Sequence, residues 1–195
     1  RDEFRSTVYS YMSRVRRADA NLHFPDRKVQ LHKVKPTSEE SELFNLIAKP
    51  IQKLNKLSQI SIAQALVSSP HALATQLERM AQNGTVPTSL AASVRTVVQR
   101  MRTTAKLEGL GVLLDELKAE RPDDWRMVVF TGRRETQTTI AAFLEHRGIR
   151  CGLINGDSGA RNQQTIVRFR KDPPDIHAIV STEAGSEGVN LQAAN

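Results

Sequence analysis

Hydrophobic and polar positions alternate in different styles along the 195 residues. Near the N-terminus Phe4, Val8, Tyr11 and Val15 fall close to one face at helical spacing. They predict a helix from Arg1 to about Arg17, ended by Leu22 to Pro25. Lys28 to Lys35 then alternates, with Val29 and Leu31 on one side, and predicts a strand with a polar face. Thr37 with Glu40 three residues on is a capping box, so a helix starts there and runs towards Pro50. From Pro50 to about Thr104 the pattern stays helical but broken. Ser68-Ser69 before Pro70 reads as a cap followed by proline at the first helical position. Asn83-Gly84 closes that helix, and Pro87-Thr88-Ser89 opens another. This stretch carries no strand signal and reads as an all-helical insertion.

From Ala105 the style changes. Leu107, Leu110, Leu113, Leu114 and Leu117 repeat at helical spacing up to Pro122. A strand is predicted at Arg126 to Phe130, a helix from Arg134 to His146 closed by Gly148, and a second strand at Cys151 to Ile154. A helix from about Ala160 to Phe169 and a third strand at His177 to Val180 follow. Strand, helix, strand, helix, strand predicts a parallel sheet covered by its crossover helices, an α/β class. Ligands of such sheets bind beyond the carboxyl ends of the strands. The three predicted ends are Thr131-Gly132, Asn155-Gly156-Asp157 and Ser181-Thr182, all small or polar, as a phosphate-facing edge requires.

Charge adds a partner class. Lys and Arg outnumber Asp and Glu by 28 to 21, which favours a polyanion. The excess lies in Arg1 to Pro36, notably at Arg14, Arg16, Arg17, Arg27, Lys28, Lys33 and Lys35. Aromatic content of 5% makes base stacking a poor candidate for the main contact. The single cysteine, Cys151, excludes an internal disulfide, suits a reducing compartment, and reads as a small core residue. The histidines show no zinc spacing, and no apolar run approaches a membrane span. There is no phosphate loop of the G-x-x-x-x-G-K-[ST] kind and no strand ending in an Asp-Glu pair. Gly109-Leu110-Gly111 is not a dinucleotide fingerprint, because no strand precedes it. Asp115-Glu116 reads as the solvent face of a leucine-periodic helix.

The wording of the last residues, VSTEAGSEGVNLQAAN from Val180, resembles motif V of the Swi/Snf group of superfamily 2 helicase-like ATPases, especially its bacterial, RNA-polymerase-associated branch. VVFTGRRET from Val128 resembles the family's motif IV, and Gly148 to Arg170 its next block. The resemblance implies a RecA-like second lobe, divided as an inter-lobe link at 1–36, a helical protrusion at 37–104 and the lobe proper at 105–195. It implies DNA-phosphate contacts from Thr131, Gly132, Arg133, Gly156, Arg161, Ser181, Thr182 and Gly185. Gly188, through its backbone, and Asn190, at a ribose-contacting position, are implied to approach the nucleotide, ATP with Mg²⁺ held mainly by a first lobe in cis. The family's arginine-bearing motif VI follows motif V and is not in this sequence, which together with the start at Arg1 reads as a piece of a longer protein. The implied parent is a cytoplasmic, nucleoid-associated ATPase that translocates along double-stranded DNA and displaces RNA polymerase or another bound protein. This piece alone is expected to hydrolyse no ATP. A non-catalytic helicase-like binding module and an RNA helicase of the same superfamily remain alternatives.

Overall fold

The computed structural model describes residues 2–12, 28–157, 159–183 and 191–194. The chain divides into two compact units, Arg1–Lys33 and Val34–Asn195. In the first, α1 spans Asp2–Tyr11 and stops short of the expected Arg17. Phe4 and Tyr11 are exposed, so the helix has little apolar burial to extend it. Arg14 to Arg27, with the expected helix end at Leu22 to Pro25, lie outside the described residues.

The strand expected at Lys28 to Lys35 is absent: these residues have no regular structure. Val29 and Leu31 are largely exposed, and among the described residues no neighbouring strand receives the backbone. Alternation makes a strand only where a ladder and a buried face reward it.

The second unit holds the rest. Thr37 caps α2 (Ser38–Ile51) through the foreseen box: its hydroxyl accepts the Glu40 N–H at 3.2 Å, and the Glu40 carboxylate accepts the Thr37 N–H at 2.9 Å. The same carboxylate oxygen accepts the Ala105 N–H at 3.1 Å, tying the start of α2 to the start of the later helix α6 (Ala105–Glu120). Then come α3 (Lys56–Ser68), α4 (Pro70–Gln82) and α5 (Thr88–Arg100). Ser69 caps α4 with Pro70 at its first position, and Gly84, at φ +70°, takes the left-handed turn after it. These four helices close around Leu43, Ile47, Ile62, Leu73, Leu77 and Val94. Each such buried side chain contributes about 1.5–3 kcal/mol, so this helical layer has a core of its own.

The α/β part follows: α6 (Ala105–Glu120), β1 (Met127–Thr131), α7 (Arg134–His146), β2 (Cys151–Ile154), α8 (Gly159–Arg170) and β3 (Ala178–Thr182), then a 3₁₀ turn at Gln192–Ala194. The sheet is parallel with order β1-β3-β2, so the last strand lies between the other two. β3 is buried along its whole length. Alternate residues face opposite layers. Ala178 and Val180 pack with Leu114 of α6 and Ile140 and Leu144 of α7; Ile179 packs with Ile166 and Phe169 of α8. β3 ends at Thr182, beyond the expected Val180, because Ser181 and Thr182 also pair in the ladder. Gly152 is required by packing: a Cβ there would lie 2.3 Å from Thr165 Cγ2 and 2.8 Å from Ile176 Cδ1. Among the described residues, no helix is long and apolar enough to cross a membrane.

Candidate nucleic-acid interface

The strand order decides which sequence-predicted residues meet. Thr131 pairs with Thr182, and Ile154 pairs with Ser181, so all three strands finish at one edge. Beyond that edge lie Thr131-Gly132 on one side and Asn155-Gly156-Asp157 on the other, with Ser181-Thr182 between them.

Thr131 is half-buried and Gly132 exposed. The Thr131 hydroxyl accepts the Arg133 N–H at 3.4 Å, which leaves its own proton available to donate. The Arg133 guanidinium turns to the helical layer, donating to Gln76 Oε1 at 3.4 Å and the Ser61 carbonyl at 3.3 Å. Arg134 and Asp157 are both exposed and form a two-pronged ion pair, with one bond of 2.7 Å. The pair spans from the β1–α7 turn to the β2–α8 turn, past the end of β3 between them. Its hydrogen bond to Asp157 raises the Arg134 guanidinium above its ordinary value.

The β2–α8 turn is shaped by amide side chains. Asn155 Oδ1 accepts the Asp157 N–H at 3.0 Å, while Asn162 Nδ2 donates to the Asn155 carbonyl at 2.7 Å. This holds Gly156 exposed at the tip. Arg161, in the first turn of α8, is also exposed and lines a groove of about 370 Å³ with Asn155, Asp157 and Arg168. Thr131, Gly132 and Arg133 line a separate cleft of about 790 Å³ between the sheet edge and α3 and α6. Of the predicted residues, Thr131, Gly132 and Arg133 thus line one concavity of the edge and Arg161 the other.

Ser181 is fully buried, its hydroxyl donating to the Thr182 carbonyl at 3.2 Å, and Thr182 is also buried. Gly185, Gly188 and Asn190 lie outside the described residues. Cys151 is half-buried beside the α6–α7 core, and burial pushes its thiol pKa up, as expected of a packing residue.

Two residues that organise the edge were not foreseen. Gln137, 3% exposed, donates through Nε2 to the Ile154 carbonyl at 2.9 Å and the Val180 carbonyl at 2.8 Å, joining the ends of β2 and β3. Thr136, also buried, sets its hydroxyl against Ser68 and Ser69. A signal existed: 137 shares the buried stripe of Ile140, Ala141 and Leu144, where a polar residue needs a partner.

The family model of the helicase conserved C-terminal domain matches residues 106–195. The uncharacterized ATP-dependent helicase YqhH of Bacillus subtilis is 24% identical over 200 residues, covering 100% of this chain and 35% of that protein. Helicase ssl-1 of Caenorhabditis elegans is 33% identical over 91 residues, covering 46% of this chain and 4% of that protein. Among solved structures, the Sulfolobus solfataricus SWI2/SNF2 ATPase C-terminal domain is similar with a TM-score of 0.47 and 19% identity, covering 80% of this chain and 61% of that chain. The chain spans about a third of the Bacillus relative and a far smaller share of the nematode one. Residues 106–195 are thus similar to the helicase conserved C-terminal domain, and their described part is built as a parallel sheet with helices on both faces.

Proposed function

We propose that this chain is the second-lobe part of an ATP-driven, double-stranded-DNA translocase of the Swi/Snf type, and that its strand-end edge grips the DNA backbone. The observation that carries the reading is the convergence of the three strand ends at one edge, fixed by the pairs Thr131–Thr182 and Ile154–Ser181. Thr131, Gly132, Gly156 and Arg161 are among the exposed or half-exposed groups there, and hydroxyls, glycine amides and arginines at helix starts suit phosphate oxygens. Ser181 and Thr182 act from beneath, through the backbone that they hold in the ladder. Gly185 would extend the same edge.

Among the described residues, no three of His, Cys, Asp and Glu come together to hold a metal ion. In this reading a first RecA-like lobe of the parent holds the nucleotide, with Gly188 and Asn190 contributing from this side, and the 195 residues alone hydrolyse none. The parent acts in the cytoplasm, at the nucleoid, on DNA-bound protein such as RNA polymerase.

The test is ATP hydrolysis by the full parent polypeptide with no nucleic acid, duplex DNA, single-stranded DNA or RNA. Stimulation by duplex DNA is the expected result. Absence of hydrolysis under all conditions would replace the reading with a non-catalytic binding module, and stimulation by RNA alone with an RNA helicase.

A further inference from the structure

The first turn of α7 is held from outside the sheet, by the helical layer. The Thr136 hydroxyl lies 2.7 Å from Ser68 Oγ and 2.8 Å from Ser69 Oγ, at the α3–α4 junction. Ser69 Oγ already accepts the Ala72 N–H at 3.1 Å, so its proton is free to go to Thr136, and that of Thr136 to Ser68. One chain of donors satisfies all three hydroxyls where Ser69 and Thr136 are each 8% exposed. Arg133 adds a second tie, its backbone bonded to the Thr131 hydroxyl and its guanidinium to Ser61 of α3 and Gln76 of α4. Arg79 of α4 reaches Glu135 at 3.2 Å, an exposed pair that adds orientation more than energy. Residues 133, 135 and 136 therefore all bond to the α3–α4 hairpin, immediately after the Thr131-Gly132 turn.

An arginine that reads phosphate presents its fork to solvent. The Arg133 fork is instead spent on two helices. We infer that Arg133 and Thr136 are positioning residues: they lock the Thr131-Gly132 turn to the α3–α4 hairpin, so that the helical layer and the phosphate-facing edge move as one body, and Arg133 does not itself contact phosphate. The inference rests on the reading that this edge meets a nucleic-acid backbone.

Arg133→Gln, Thr136→Val and Thr136→Ser, each in the full parent polypeptide, test it. A lost phosphate contact lowers the slope of log affinity against log salt by about 0.9 on duplex DNA. The expected result is an unchanged slope in Arg133→Gln and Thr136→Val. Their maximal DNA-stimulated turnover falls about tenfold, while the half-saturating DNA concentration stays within about threefold. Thr136→Ser keeps the hydroxyl and restores turnover. A slope reduced by about 0.9 in Arg133→Gln would make it a phosphate contact and overturn the inference, as would parental turnover in both variants.

Amide exchange without nucleic acid tests the lock whatever the parent does. Residues 131–139 should exchange about tenfold faster in Thr136→Val, with α8 unchanged. Unaltered exchange there overturns the lock. An unstimulated parent would overturn the functional reading alone.

Discussion

Replacing Gln137 with Leu removes two hydrogen bonds from a site that is 3% exposed and keeps much of the side-chain volume. The amide bonds the Ile154 and Val180 carbonyls at 2.9 and 2.8 Å, and water cannot take its place without opening the helix–sheet contact. A buried hydrogen bond contributes about 0.5–1.5 kcal/mol net, and leaving its acceptor unpaired adds to the loss. Two such bonds make Gln137→Leu destabilising by about 2–3 kcal/mol, a large share of the roughly 5–15 kcal/mol of an ordinary domain. With a urea slope of about 2 kcal/mol per molar, the midpoint should fall by about 1–1.5 M. Equilibrium urea unfolding followed by circular dichroism measures it, and Gln137→Met controls for side-chain shape. A shift below about 0.3 M in both variants would refute the claim that this amide joins the ends of β2 and β3.

Further outcomes follow from the same structure. Gly152→Ala should cost about 1–3 kcal/mol by overpacking against Thr165 and Ile176, and Thr165→Ser, which removes the clashing Cγ2, should recover part of it in thermal melts. Thr37→Ala should cost about 1 kcal/mol, and Glu40→Ala about 2–3 kcal/mol, because the Glu40 carboxylate caps α2 and α6 together; equal losses would mean that the Ala105 bond contributes nothing. Burial raises the Cys151 pKa, so its folded-state thiol should react with a thiol reagent more slowly than free cysteine at pH 8, where deprotonation limits the rate. Because the folded pKa lies above the unfolded one, the associated stability is full below about pH 8.5 and is lost as pH rises through the folded value. Asp157→Asn frees the Arg134 fork, so duplex affinity should rise with a steeper salt dependence, while the melting temperature stays nearly unchanged because the pair is exposed.

Much of this was legible because local signals and tertiary structure agree. The capping box at Thr37 and the Ser69-Pro70 helix start follow from side chains that satisfy the helix backbone, and the bounds of α7 and β2 from the apolar pattern and from Gly148, which takes the left-handed turn at φ +70°. The parallel sheet followed from alternating strands and helices. Strand order did not: three short apolar runs do not say which is central, although β3, buried at all five positions, proves to be. The Lys28–Lys35 alternation misled because period two counts only with a partner strand. Side-chain ties across 57 to 72 positions of sequence, such as Arg133 to Gln76 and Ser61, leave no local trace. The sequence therefore placed Arg133 at the edge without revealing that its charge is turned inward.

The most direct measurement of the central claim is duplex-stimulated ATP hydrolysis by the full parent polypeptide carrying Thr131→Val. That substitution keeps the side-chain shape, removes the hydroxyl donor at the end of β1 and also frees the Arg133 N–H. Stimulation should fall about tenfold or more, with hydrolysis in the absence of DNA unchanged. Stimulation equal to that of the unaltered parent would contradict it.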